Sequence, residues 1–140
     1  MAYAFGEVFL SDDRLACALV LFPDRKKTTL KSVLLDMKLA AFCVGLSNIK
    51  KALDRESQIK KIHPRAPICH LWFVGVMPTA QKKGIGSVLL NDIIKENASL
   101  HRPIYLETST SKNIPWYEKF GFTIYYELDF GYRLFCLRKG

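Results

Sequence analysis

The run Gln81-Lys82-Lys83-Gly84-Ile85-Gly86 lies between an apolar stretch that stops at Pro78 and a stretch of helical period, and that placement gives it chemistry. Where a buried strand hands over to a helix through a glycine-containing turn, several unpaired amides point outward together at the positive end of the helix dipole. Such an arrangement binds phosphate. Gly84 and Gly86 allow close approach because no Cβ obstructs the backbone, and Lys82 and Lys83 add compensating charge. Two glycines near a helix start serve equally well as a tight turn. Other nucleotide loops do not fit: a Walker loop needs Gly-Lys-Ser/Thr and the dinucleotide fingerprint needs three spaced glycines, and neither occurs.

The elements that must hold this loop follow from periodicity. Residues 4–10 and 16–22 are short apolar and aromatic runs on either side of Ser11-Asp12-Asp13, which predicts a β-hairpin closed by Pro23-Asp24. From Thr29 the period becomes helical, with Leu30, Val33, Leu34, Met37, Ala41 and Val44 recurring until Gly45. Ser47 is the expected cap of a second helix carrying Ile49, Leu53 and Ile62 among many charges, ended by Pro64 and Pro67. Residues 69–77 form a nearly continuous apolar run, the mark of a strand buried on both faces. A helix over 84–97 should face Ile85, Val88, Leu89 and Ile93 inward. A strand at 103–108, hydroxyl-rich turn residues 109–111, a short helix over 115–120 ended by Gly121, and a hairpin of 122–126 with 132–137 complete the order. The expected architecture is a mixed α/β sheet, ordered ββ-αα-β-α-β-α-ββ, in one domain over residues 1–140.

Bulk composition sets the limits. The 140 residues are 49% hydrophobic, enough for a core without metals or disulfides as staples. The apolar stretches are too short or interrupted to cross a bilayer and no basic-then-apolar leader opens the chain, so the expected setting is cytoplasmic, away from membranes. Cys17, Cys43, Cys69 and Cys136 stand far apart without a CxxC pair, and read as buried free thiols. His63, His70 and His101 are scattered too, so no metal is expected. The net charge of +8 favours anionic ligands, and much of it sits on solvated faces at 25–27, 50–51 and 60–61. A nucleic-acid domain would explain the charge, but no reader helix or aromatic RNA-binding strand accompanies it.

Taken together, Val76-x-Pro78 followed by Gln81-x-x-Gly84-x-Gly86 resembles the acetyl-CoA signature of the GNAT N-acetyltransferase superfamily, usually written Gln/Arg-x-x-Gly-x-Gly/Ala. The resemblance runs from about Leu71 to the C-terminus. It implies a largely antiparallel sheet in which the strand before the loop splays from its neighbour and the cofactor's pantetheine arm lies in the opening. Backbone groups of Val74 and Val76 would bond the arm, and the amides of Gln81, Lys82, Lys83, Gly84, Ile85 and Gly86 would take the pyrophosphate of acetyl-CoA or CoA. Pro78 fits on its own account, because it removes a ladder donor where pairing must end.

The stretch Leu106-Glu-Thr-Ser-Thr-Ser-Lys-Asn-Ile-Pro-Trp-Tyr-Glu-Lys-Phe-Gly-Phe122 resembles the second landmark of that family. The resemblance makes Tyr117 the general acid that protonates the departing thiolate and Asn113 a polar contact for the cofactor arm. Without it, Trp116, Tyr117, Phe120 and Phe122 read as an aromatic core patch. An amine must lose a proton as it attacks, and Glu107, on the strand bordering the opening, is the expected base; a carboxylate paired with a lysine is the plainer reading of that residue. His70 is a weaker choice of base. The Val74 or Val76 amide would serve the oxyanion.

The chain departs from that family at its start. The usual first strand and two helices have no counterpart before residue 4, and the helical stretch at about 30–62 stands where a short hairpin connection is normal. It reads as a lid over the acceptor, as cover for one sheet face, or as an apolar homodimer interface. The expected activity is acetyl transfer from acetyl-CoA to a primary amine of a small molecule or peptide, by direct attack in a ternary complex. A non-catalytic module that binds CoA or a protein partner is the alternative.

Overall fold

The computed structural model describes residues 6–25, Leu34, Lys38 and 46–140. The hairpin forms where turn chemistry puts it. Ser11 Oγ donates to Asp13 Oδ1 at 2.6 Å and accepts from the Ala16 amide, while Asp13 Oδ1 accepts from the Leu15 amide, an Asx-type turn that leaves Arg14 at φ 59°. Strand β1 (Gly6–Leu10) therefore lies antiparallel to β2 (Ala16–Leu21), with Leu10 opposite Cys17. The first expected helix falls outside the described residues except for Leu34 and Lys38, both helical and exposed; its lid or dimer role lies there too, as does Cys43.

Helix α1 (Leu46–Ile62) joins β2 to β3 (Cys69–Val76), so the helical insertion between these two strands is present. It buries Ile59 and half-buries Ile62, one turn apart, against Leu128, Leu134 and Cys136 on one face of the sheet. Leu53, one of its apolar residues, is exposed: six positions before Ile59 it sits about 120° round the helix. Ser47 lies within the helix rather than ahead of it, and the side chain of Ile49 is outside the described residues.

Helix α2 (Ile85–Ser99) covers the opposite face, with Leu89, Leu90 and Ile93 on Ala18, Val20, Cys69, Leu71, Ile104 and Leu106. Val88 is exposed, contrary to its expected inward place, because the stripe at four-residue spacing runs through Ile85, Leu89 and Ile93. Strand β4 (Ile104–Thr108), helix α3 (Ile114–Lys119), β5 (Thr123–Asp129) and β6 (Arg133–Lys139) follow, and Gly121 at φ 87° ends α3 as expected.

The six strands lie in the order β1-β2-β3-β4-β6-β5, and every neighbouring pair is antiparallel except β3 with β4. That parallel pair is short. Cys69 faces Ile104 and His70 faces Tyr105, and beyond them the strands separate. On the other flank of β3 the register slips, since Val20 pairs with Leu71 but Leu19 with Phe73, leaving Trp72 as an extra residue. A bulge bends its strand and strengthens its twist. Its local signature is that Trp72 and Phe73, successive on one strand, are both exposed.

Candidate active site

Two faces and one gap define the site. After the bulge, Val74 and Val76 return to the α2 face and pack with Ile85, Trp116 and Tyr117. The main-chain groups of β3 alternate sides. Met77 donates to the Leu15 carbonyl of the hairpin at 2.7 Å, so the amides of Val76 and, two residues back, Val74 face away from β2, into the gap toward β4. Gln81 Nε2 donates to the Val76 carbonyl across the mouth of that gap at 3.2 Å.

The loop beyond is built for an anion. Pro78 opens a short turn through Ala80, Lys82 adopts φ 64° and Gly84 φ 78°, and α2 begins at Ile85 with no side-chain cap. Among the described residues, no protein acceptor meets the amides of 81–86. A Cβ at Gly84 would meet nothing within 4 Å, so the space over that residue is open. A Cβ at Gly86 would sit 3.1 Å from Val76 Cγ2, so the helix start lies close against β3 and a side chain there would need Val76 to give way slightly. Exposed Lys82 and Lys83 flank this cradle. The donor set fits a diphosphate.

On the α2 face, Tyr117 packs half-buried against the core. It packs edge-on against Trp116 and Phe122, and burial alone raises its pKa, which keeps the phenol protonated at neutral pH. Trp116 donates its indole N–H to Ser87 Oγ at 3.1 Å and stacks on Phe120. Asn113 directly precedes α3, is exposed and makes no side-chain capping hydrogen bond, while its main-chain N–H donates to the Thr110 carbonyl at 3.0 Å.

On the α1 face, at the point where β3 and β4 part, the structure assembles a cluster. His63, directly after α1, donates from Nε2 to Glu107 Oε1 at 2.8 Å, and His70 on β3 donates from Nε2 to Glu107 Oε2 at 2.6 Å. All three side chains are nearly buried, at 9%, 11% and 6% exposure. Burial raises the Glu107 pKa, but the two imidazole hydrogen bonds outweigh it and hold the carboxyl at about 2. An ionised carboxylate can only accept, so each ring directs an Nε2 proton at it. Tyr105 meets His63 edge-on and Tyr125 stands behind it. Both histidines line a cavity of about 390 Å³ beneath α1, with Leu21, Ile59 and Ile68 as its apolar wall.

The expectation of a lysine partner for Glu107 therefore gives way to two histidines, and the reading of His63 and His70 as scattered is overturned, since their rings lie 4.9 Å apart. Sequence reasoning passed over His63. Its signal was the short, proline-interrupted link of residues 64–68, which returns the end of α1 to the start of β3. Two of the thiols follow expectation: Cys69 and Cys136 are buried and free, each pushed up to about 12, mainly by burial, whereas Cys17 is free but only half-buried. No helix among the described residues is long and apolar enough to cross a membrane.

Known proteins share this fold. The family model described as the acetyltransferase (GNAT) domain matches residues 39–124. A histone acetyltransferase HPA2-related structure from Corynebacterium glutamicum superimposes with a TM-score of 0.62 at 17% identity, over 99% of this chain and 66% of that one. Arabidopsis thaliana NAA60, solved with acetyl-CoA, gives 0.55 at 16% identity, over 91% and 69%. Arabidopsis thaliana Naa50, solved with a CoA-peptide bisubstrate analogue, is 26% identical over 54% of this chain and 56% of its own, with a TM-score of 0.49. The chain thus spans between about half and two thirds of the length of the Naa50 and Corynebacterium structures. With the gap, the glycine cradle and the strand order already described, and a family match over more than half its residues, the chain belongs to the GNAT acetyltransferase domain family.

Proposed function

We propose that this chain binds acetyl-CoA and transfers the acetyl group to a primary amine of a small molecule or peptide by direct attack in a ternary complex. The observation that carries the reading is the gap between β3 and β4, which has free amides at its mouth and an imidazole–carboxylate cluster where the strands rejoin. Six residue steps along β3 separate Val76 from His70, on the order of 20 Å, enough for an extended arm. In this reading the amides of 81–86 hold the diphosphate, the main-chain groups of Val74 and Val76 bond the arm, and Asn113 contacts it at the rim. Gln81 releases the Val76 carbonyl when the arm enters.

The bound cofactor supplies an acetyl thioester whose carbonyl carbon accepts the amine and whose thiolate departs. Proton traffic belongs to the chain. His70, oriented by Glu107, takes the amine proton on Nδ1, directly or through water; Glu107 itself, held ionised down to a pKa of about 2, fixes the ring and balances the imidazolium. Glu107 thus belongs to the base unit, and His63 locks its other oxygen. Tyr117 donates its phenolic proton to the thiolate from the opposite face of the sheet. The Val74 or Val76 amide, pointing into the gap, donates to the carbonyl oxygen as charge develops. The amine enters through the cavity lined by His63 and His70. We place this activity in the cytoplasm.

Calorimetric titration with acetyl-CoA, followed by mass spectrometry of products from a panel of polyamines, amino acids, aminoglycosides and peptides, tests the reading. Saturable binding and one acetylated class are expected. Absence of binding ends the proposal, while tight binding without any product favours a non-catalytic CoA-binding module.

A further inference from the structure

We infer that His63, His70 and Glu107 form a binding site for a divalent transition-metal ion of the zinc class. Their ligand atoms all lie within 4.8 Å of one another and come from three separate elements: the residue closing α1, the start of β3 and the middle of β4. Two imidazole nitrogens with one carboxylate oxygen is a donor set that suits zinc, cobalt or nickel, whereas calcium and magnesium prefer oxygen alone. The two rings stand edge to face, 78° apart, with both Nε2 atoms directed at the same carboxylate. Their Nε2 lone-pair axes converge once each ring's proton sits on Nδ1.

Little movement is needed. Metal–ligand bonds of about 2.0–2.1 Å at tetrahedral angles place donor atoms about 3.4 Å apart. The donor separations to Glu107 are 2.6 and 2.8 Å, and the whole set spans less than 4.8 Å. The ion would take the two Nε2 positions while each ring keeps its proton, now on Nδ1, leaving a site of net charge +1 beside an apolar wall. The cavity lined by both histidines leaves the fourth position open to water or an incoming amine. Behind the ligands, Tyr105 and Tyr125 pack edge-on and keep the His63 ring in place.

The site has a consequence for the acetyltransferase reading, on which this step alone rests. Coordination through Nε2 moves the ring proton to Nδ1 and removes the basic lone pair, so zinc would act as a brake on transfer.

The test uses the metal-stripped full chain titrated with zinc chloride by calorimetry in two buffers of different ionisation enthalpy. One ion per chain is expected, without net proton release and with affinity lowered about a hundredfold in His63→Gln and in Glu107→Gln. Cys17→Ser, which alters the part-exposed free thiol outside the cluster, should bind as the unmodified chain does. Circular dichroism establishes that each variant is folded; His63→Gln, at the end of a helix, decides the matter if Glu107→Gln does not fold. Absence of one-to-one binding overturns the site, as does equal affinity in folded His63→Gln. Zinc binding without any acetyl transfer leaves the site standing and removes only the brake.

Discussion

The indole N–H of Trp116 reaches Ser87 Oγ at 3.1 Å, so the helix of the second signature is tied directly to the first turn of the helix that opens at the glycine cradle. Trp116 is also the nearest neighbour of Gly86 after Val76. Trp116→Phe keeps most of the aromatic packing and deletes the bond. It is expected to lower stability by about 1 kcal/mol and to weaken acetyl-CoA binding several-fold, read by thermal melting and calorimetry.

Gly84→Glu places a side chain and a negative charge where the structure is open, at a φ of 78° that costs a non-glycine residue about 1–2 kcal/mol. Acetyl-CoA binding should fall beyond detection while circular dichroism remains native. A variant that binds as tightly as the parent would dismiss the cradle.

Tyr117→Phe retains the ring contacts with Trp116 and Phe122 and removes only the acid. Turnover is expected to fall about a hundredfold or more with cofactor affinity changed less than about twofold. Unchanged turnover would take the phenol out of the mechanism.

Glu107 supplies a pH signature. Its folded pKa of about 2 lies below the ordinary 4.5, so the unfolded chain binds more protons in that interval and stability rises with pH across it. The contribution is complete above about pH 4.5 and is lost as pH falls toward 2. It is on the order of 3 kcal/mol at neutral pH. Denaturant melts at several pH values should show this slope in the unmodified chain and a shallower one in Glu107→Gln, while the variant's acetyl transfer falls at every pH. Equal slopes would contradict the buried pairing.

Much of this was legible in the residues. The continuous apolar run of β3, the glycine loop and the four-residue stripe of α2 are local signals, and the sheet class follows from them. Faces were harder, because a lone apolar residue such as Leu53 or Val88 carries no mark of which side a helix turns inward. The Trp72 bulge depends on the register with β2, which no local pattern reports. The histidine pair is a tertiary product: His63 and His70 meet because residues 64–68 fold back, and they meet at Glu107 because β4 runs parallel to β3 for only two rungs.

Those two rungs have a mechanical meaning. The sheet is stitched firmly on either flank, β1-β2-β3 on one side and β4-β6-β5 on the other, and only lightly along its central seam. The two halves are therefore joined by few main-chain bonds, and whatever fills the seam supplies the missing cross-links. Amide hydrogen exchange at Val74 and Val76 should be fast in the free protein and slow several-fold with CoA present, with no comparable change at Ala18 or Leu137 inside the stitched halves.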